Sequence, residues 1–523
     1  MQSASDAEER CRMNPADRVV LAVDLGTGGP KVGFVALDGT VLWSDLFAVP
    51  TNYGPGGAAT QDAGLWWAII RDATRRGLAE SGLHGDQVAG VAITGQWAST
   101  VPVGADGRPV GPCVMWMDTR GAPYSRTTFG GRLQGYRPRA LLSWLRRNGG
   151  IPTPSGDDPV GHMLHLQHGD PAGSGAARWF LEPVDYLSMC FTGRAAASRA
   201  SMMGAWLTDN RNLAVLDYDD VLVRLAGVDR AKLPPLVPTG SIISPVAPAV
   251  AAELGISPAA QVVTGTPDLH SAAVGSGAVR QGELHLTIST TSWISCPVAV
   301  KKTDAFHQLA TVPGLDPSSY LLVNNQDTAG RALQWLRDNI FDDLDYDALT
   351  ALAAGAPAGS NGIIFTPWLK GEHSPIDDRN ARGGFHNLSL DTTRADLVRA
   401  VLEGVAYNSR WLLDCVNRFT GNDGPIRIVG GGARSDLWCQ IIADVCGRTC
   451  ERVADPLNAQ LRGAALFAGI GMGVLERDEL RDLIPLDGVF EPIAANRAVY
   501  DRLFAEFPGL YKTQKGMFAR LAR

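Results

Sequence analysis

Asp268 stands in the run Gly265-Thr266-Pro267-Asp268-Leu269-His270-Ser271-Ala272-Ala273-Val274-Gly275-Ser276-Gly277, an acidic side chain between an apolar segment and very small residues. Val262 and Val263 read as the end of a buried strand. Ser271 onward reads as a loop or helix start whose backbone can come close to a ligand. A carboxylate so placed can orient a hydroxyl and accept its proton; it can equally cap the helix that follows. A second carboxylate, Asp24, opens Asp24-Leu25-Gly26-Thr27-Gly28-Gly29 after another apolar run. The glycines expose backbone N–H groups, Thr27 adds a hydroxyl, and Asp24 can hold Mg2+ through water. That combination suits phosphate oxygens, and it also suits a tight turn between strands. It is not a Walker loop, because Lys31 lacks the Ser or Thr that should follow, and it carries no G-x-G-x-x-G dinucleotide fingerprint. Gly430-Gly431-Gly432 is the third such place. Three glycines in succession are costly in backbone entropy, which points to a close approach: either a flat ligand group such as a nucleobase, or a helix packed on a strand.

These residues need a frame of strands and helices. Residues 18–24, 32–37, 40–43 and 88–94 have the β-branched, apolar content of strands, with Asp38-Gly39 as a hairpin turn. Helical spacing runs through 65–78, and 180–194 reads as a helix ending at Gly193. Residues 126–175 mix Gly, Pro and basic side chains and read as loops with short helices. A second start follows at 284–289, then the hydroxyl-rich Ser289-Thr290-Thr291-Ser292, then a strand at 293–298. A long amphipathic helix is expected over 393–419, with Thr393 and Asp396 as its cap and Leu397, Val401, Leu402, Val405, Leu412 and Val416 on one face. A strand at 426–429 runs into the three glycines, a helix follows over 436–446, and 460–469 is an Ala-rich helix in which Gly463 allows close packing. Strands and helices alternate in both halves, which makes this an α/β chain of two lobes, each opening on strand, loop, strand. A cleft between lobes is where ligands are expected.

Composition narrows the class. A chain of 523 residues exceeds what one core usually serves, and 45% hydrophobic with 19% charged residues is the balance of a soluble globular protein. The net charge of −7 and the lack of a long basic run argue against nucleic acid as the main partner. No apolar stretch approaches the roughly 20 residues of a membrane span. Residues 1–17 are polar and charged, without the apolar middle of a signal peptide, and read as a disordered tail. The eight scattered cysteines form no CxxC pair and fit buried free thiols in a reducing cytoplasm. His162, His165 and His168 fall on one helix face, either as metal ligands needing further partners or as a solvated or packed face.

Seven motifs in order carry a resemblance: Asp24-Leu25-Gly26-Thr27, Gly95-Gln96, Trp116-Met117-Asp118-Thr119-Arg120, Asp268 in its small-residue setting, Gly371-Glu372-His373-Ser374-Pro375, Ala400-Val401-Leu402-Glu403-Gly404-Val405 and Gly430 to Ser435. Over residues 18–480 the chain resembles the FGGY carbohydrate kinases, the xylulokinases among them most of all. The resemblance implies two actin-like (ribonuclease H-like) ATPase domains with an active site in the cleft between them. It implies a sugar-binding domain at 18–278 and an ATP-binding domain at 279–523. It further implies ATP-dependent phosphorylation of a ketose such as xylulose, or of a polyol, with ATP, Mg2+ and the sugar as small-molecule partners and a homodimer as a plausible assembly. Asp268 would be the general base, acting without a large pKa shift because it needs only to be ionised. Asp24 would stand on the metal side, with Gly26 and Thr27 on the phosphates. Gln96, Trp97 and Asp118 would face the sugar along with Asp268. Thr290 and Thr291 would supply hydroxyls to the phosphates, and Gly431, Gly432 and Ser435 would lie near the adenosine.

The chain also departs from that pattern. The second phosphate loop has Ser289 and Ser292 where glycines are usual; if those positions need positive φ, the loop must sit differently around the γ-phosphate. Pro30 removes one N–H donor from the first loop. Trp97-Ala98 replaces Met-His, and Val184 stands where a Lys is common. Two other readings compete with the kinase: a sugar- or nucleotide-binding or sensing protein that keeps the fold and transfers phosphate poorly, and a filament-forming actin relative.

Overall fold

The computed structural model describes residues 18–133 and 135–522; the tail expected over 1–17 lies outside them. The described residues divide into two compact units. One takes the chain up to Gly275 together with Val312–Tyr320 and Gln460–Leu483; the other takes Ser276–Thr311, Leu321–Ala459 and the remainder from Ile484. No helix among the described residues is long and apolar enough to cross a membrane.

The first unit is built on a mixed sheet. Strands β1 (Val19–Gly26), β2 (Gly29–Ala36) and β3 (Val41–Leu46) form an antiparallel meander. Helix α1 (Ala63–Ser81) leads into β4 (Val88–Gly95), which runs parallel to β1. Strands β5 (Ile242–Pro245), β6 (Gln261–Val263) and the short β7 (Thr266–Pro267) complete the sheet in the order β5-β6-β4-β1-β2-β3, with β7 beside β4. Val19 to Val23 are all buried, the unbroken apolar run of a strand covered on both faces. Leu21, Val23, Phe34, Val91 and Ile93 pack with Trp66 and Ile70 of α1 in one core. A second core, from the helical insertion after β4, gathers Phe129, Trp144, Leu164, Phe180 and Leu222. The helix expected over 180–194 is a strand, Trp179–Leu181, followed by a helix, Pro183–Thr192. Pro183 explains the shift, since proline is tolerated in a first helical turn and breaks an interior.

Helix α2 (Asp268–Ser276) starts immediately after β7. A Cβ on Gly463 would sit 1.8 Å from the Ser271 carbonyl oxygen, so only glycine lets helix Ala459–Gly471 lie against α2. This is the close packing that the sequence leads one to expect there.

The second unit repeats the plan. Strands β8 (Leu284–Ile288) and β9 (Ser292–Ser295) form a hairpin, and β10 (Ile426–Val429) and β11 (Cys450–Val453) continue in parallel from β8. An antiparallel edge, β12 (Leu486–Phe490), closes the order β9-β8-β10-β11-β12. Between β8 and β11 come the long helix α3 (Arg394–Thr420) and helix α4 (Asp436–Cys446). Thr393 caps α3 with Asp396 in a reciprocal box. The single apolar face expected for α3 understates its burial, because the helix is buried all round from Val398 to Ser409. Its polar residues are matched in place. The Glu403 carboxylate accepts from Gly359 N (2.9 Å), Ser360 Oγ (2.8 Å), Arg399 Nε (2.8 Å) and Tyr500 Oη (2.9 Å).

Candidate functional site

Strand register delivers two carboxylates to one edge of the first sheet. Thr94 of β4 is the register partner of Asp24 on β1 and of Thr266 on β7, so Asp268 emerges two residues beyond, at the carboxyl ends of parallel strands. That edge is where α/β sheets bind ligands. Both carboxylates are partly buried. Burial first, and the neighbouring Asp24 charge second, push Asp268 up from 3.8 to about 7. Burial also raises Asp24, against the pull of Lys31. The expectation that Asp268 acts without a large shift is therefore corrected: a low-dielectric site beside a like charge disfavours its ionised form. Asp268 is also the first residue of α2, and its Oδ1 accepts from Leu269 N at 2.8 Å.

The β1–β2 hairpin turns through Thr27 and Gly28, with Gly26 paired to Gly29. Gly29 has φ of +130°, and a Cβ there would meet the Phe47 carbonyl oxygen at 2.0 Å. Buried Gln61 fixes the turn from below, its Nε2 donating to the Thr27 carbonyl (2.7 Å) and its Oε1 accepting from the Trp66 indole (3.0 Å). Trp116 donates from Nε1 to Thr27 Oγ1 at 3.2 Å while 38% of the residue stays exposed. No role is assigned to either Gln61 or Trp116 from the sequence. Trp116 had a signal, its place in the Trp116–Arg120 motif; Gln61 had none.

Gln96 follows β4, and its backbone N–H donates to Leu25 O at 2.8 Å. The residue is 4% exposed, and both side-chain amide atoms lack a hydrogen-bond partner among the described residues. A buried, unmatched amide of this kind is what a hydroxyl-bearing ligand would satisfy. Trp97, partly buried, packs over Gly204, where a Cβ would come within 3.0 Å of the ring. Asp118 is fully buried and committed to protein partners: Ala59 N at 2.8 Å and the Arg120 guanidinium at 2.7 Å. Burial alone would raise it, but Arg120 and the amides of Ala59 and Arg120 hold it below the usual carboxylate range. The exposed part of this pair is Arg120.

The three histidines part company. His162 is buried with Nδ1 3.5 Å from Thr100 Oγ1, whereas His165 and His168 flank the Tyr124 ring at 6.3 and 5.6 Å. Burial pushes His162 down to about 4, which keeps it neutral. Among the described residues no three His, Cys, Asp or Glu side chains converge as a metal site.

In the second unit the β8–β9 hairpin and the triple glycine lie side by side, because Thr287 pairs with Val429. Thr290 is exposed and Thr291 partly so. None of residues 289–292 has positive φ. The serines therefore sit in ordinary backbone, and the strain that would displace the loop is not there. Helix Gly330–Ile340 holds it, with Gly330 N donating to Ser289 O (2.7 Å) and Ala329 N to Thr290 O (3.0 Å). The three glycines divide between the two readings that the sequence leaves open. A Cβ on Gly430 would meet Ile288 O at 2.5 Å and one on Gly432 would meet Ile288 Cγ2 at 2.4 Å, so both serve packing. Gly431 is exposed, with no atom nearer than 3.7 Å to such a Cβ, and leaves room for a ligand. Ser435 caps α4, accepting from Trp438 N at 3.2 Å. Glu372 of the 371–375 motif is buried and accepts from Asn408 Nδ2 (2.6 Å) and Asp327 N (3.0 Å). Burial and the Asp327 charge raise it to about 8. Like Glu403, it braces the unit.

Comparison with known proteins gives this arrangement its context. The N-terminal domain model of the FGGY family of carbohydrate kinases matches residues 19–275, and the C-terminal domain model matches 282–472. A xylulose kinase from Staphylococcus epidermidis is 28% identical, with 96% of this chain and 98% of that protein covered. A gluconokinase from Bacillus subtilis is 24% identical, over 96% of this chain and 97% of its own length. The crystal structure of a xylulose kinase from Lactobacillus acidophilus superposes with a TM-score of 0.85 at 22% identity, covering 96% of this chain and all of that one. The fold is thus the two-domain, actin-like (ribonuclease H-like) ATPase fold, and the chain is a carbohydrate kinase belonging to the FGGY family.

Proposed function

We propose that the protein transfers the γ-phosphoryl group of ATP to a hydroxyl of a sugar or polyol. Xylulose, the sugar in the names of several relatives, is the first candidate acceptor. The observation that carries the reading is the pair Asp24 and Asp268 at one sheet edge, with Asp268 raised to about 7. A base titrating near neutral pH can hold the acceptor hydroxyl and take its proton as the bond to phosphorus forms. Phosphoryl transfer needs positioning and charge stabilisation more than covalent chemistry from the protein.

The sugar side is assigned to residues 18–278, with Gln96 and Trp97 as contacts. Asp118 acts there through Arg120, because its own oxygens are occupied. Trp116 joins as a wall. The ATP side is assigned to residues 279–523, with Thr290 and Thr291 at the phosphates and the open backbone of Gly431 at the adenosine; Gly432 and Ser435 shape that surface. Gly26 and Thr27 offer an N–H and a hydroxyl to the transferred group.

The hard oxygen donors of Asp24, whose burial raises it, fit Mg2+. Asp24 would hold such an ion mainly through water and phosphate oxygens. When bound, Mg2+ neutralises charge on the phosphates. The reading of a poorly active binding protein rested on strain at Ser289 and Ser292, and the backbone there gives it no support.

The test is incubation with ATP-Mg2+ and a panel of pentuloses, hexuloses, pentitols and small polyols, following ADP and sugar phosphate together. The reading expects equal amounts of both with at least one acceptor. ADP without sugar phosphate, or no turnover across the panel, would overturn it.

A further inference from the structure

Glu182 stands just before helix Pro183–Thr192, at the N-cap position, yet its side chain makes no capping hydrogen bond. The carboxylate turns instead to the segment after β4. Its Oε2 accepts from Ser99 N at 3.2 Å. That segment needs holding, because Ala98 has φ of +61°, a left-handed conformation unusual for a residue with a Cβ, which persists only where the surroundings enforce it.

The platform beneath Glu182 is itself fixed. Val184 packs so closely on Gly265, three residues before Asp268, that a Cβ on the glycine would lie 2.7 Å from the Val184 Cβ. Onward from that contact, Ser99 Oγ accepts from Trp116 N at 3.0 Å, and the Trp116 indole reaches Thr27. Gln96, Trp97 and Trp116 therefore share one support. Glu182 is 1% exposed, so it supports them from behind.

Stability alone does not account for it. Glu182 is buried beside Asp185, and its Oε1 has no hydrogen-bond partner among the described residues. A carboxylate so placed destabilises a fold relative to an aliphatic side chain of similar size, and features of that kind persist where function requires them.

We propose that Glu182 is a positioning residue for acceptor binding: it sets the Gln96–Ser99 turn and, through Ser99, the Trp116 wall, and so governs affinity for the sugar and not the rate of transfer. The proposal rests on the kinase reading. Its test joins two measurements on Glu182→Ala, Glu182→Leu and Glu182→Gln. In steady-state kinetics with D-xylulose, D-ribulose and glycerol, the Ala and Leu variants should raise the acceptor KM on the order of 10-fold or more, with kcat and the KM for ATP within about threefold. The Gln variant keeps a carbonyl for the Ser99 amide and should stay close to the parent. In amide hydrogen exchange without substrate, Ala98 and Ser99 should exchange on the order of 10-fold faster in the Ala and Leu variants and not in the Gln variant. If Glu182→Ala does not fold, Glu182→Leu fills the same buried space and serves alone. Unchanged exchange at the turn overturns the positioning role, whether or not the protein turns over. Altered exchange with an unchanged acceptor KM overturns the role in affinity. If the parent protein phosphorylates none of the three acceptors, the kinase reading is what fails for them, and the exchange data still decide whether Glu182 holds the turn.

Discussion

The two sheets open on hairpins at the same topological place, and they solve the same problem differently. The first, Gly26 to Gly29, relies on backbone conformation: Gly29 lies at φ of +130° against the Phe47 carbonyl, and no other residue fits. The second, Ser289 to Ser292, has no left-handed residue and relies on hydrogen bonds from the start of helix Gly330–Ile340. A loop held by its neighbours tolerates side chains where a loop held by its own dihedrals tolerates none. The hairpins differ in chemistry as well. The first lies beside Asp24 and Asp268, whereas the second brings hydroxyls to the edge of the triple glycine and has no carboxylate within it.

Breaking the acid–base half should have the largest effect. Asp268→Ala is expected to lower kcat by about 10²–10⁴-fold, read as ADP and sugar phosphate formation, while the protein stays folded. Conformation comes next. Gly29→Ala should destabilise the protein by about 1–3 kcal/mol in denaturant unfolding, since the backbone there admits no Cβ. The triple glycine offers a finer cut. Gly430→Ala should lower the melting temperature, because its Cβ would meet Ile288 O, while Gly431→Ala should leave melting unchanged and raise the KM for ATP several-fold. The smallest effect is expected in the second hairpin. Ser289→Gly should change stability by less than about 1 kcal/mol and should not raise kcat. A large gain in kcat on that change would break the comparison, because it would mean the loop does need a glycine conformation.

How much of this the sequence discloses follows from how local each signal is. The hairpin strands, the Thr393 cap and the close packing at Gly463 depend on neighbours a few residues away or on glycine alone, and they read through. The burial of α3 does not, because Arg399, Glu403 and Asn408 look like a solvated face until their partners at Gly359, Ser360, Glu372 and Tyr500 are known. At the candidate site, Asp24 and Asp268 are legible as types, but the pKa of Asp268 depends on a pairing across three strands. Asp118, which the resemblance has facing the sugar, has its carboxylate matched to Arg120 and Ala59. Gln61 and Glu182 stay hidden, since each acts on a loop far from it in sequence.

The raised pKa of Asp268 carries a sign for stability too. Its folded value of about 7 lies above the ordinary carboxylate value of 3.8, so the unfolded chain releases this proton first. Asp268 therefore weakens the fold progressively as pH rises from about 4 to about 7, and no further above that. Asp268→Asn removes the ionisation and should equal or exceed the parent in thermal stability at pH 8.

The most direct test of the account is the pH profile of kcat/KM for the acceptor, measured on the parent protein and on Asp268→Asn with saturating ATP-Mg2+. The account predicts activity that rises with pH through a break near 7 in the parent, and a residual rate in Asp268→Asn that is about 10²–10⁴-fold lower and lacks that break. An Asp268→Asn variant within tenfold of the parent, or one that keeps the same break, would contradict it.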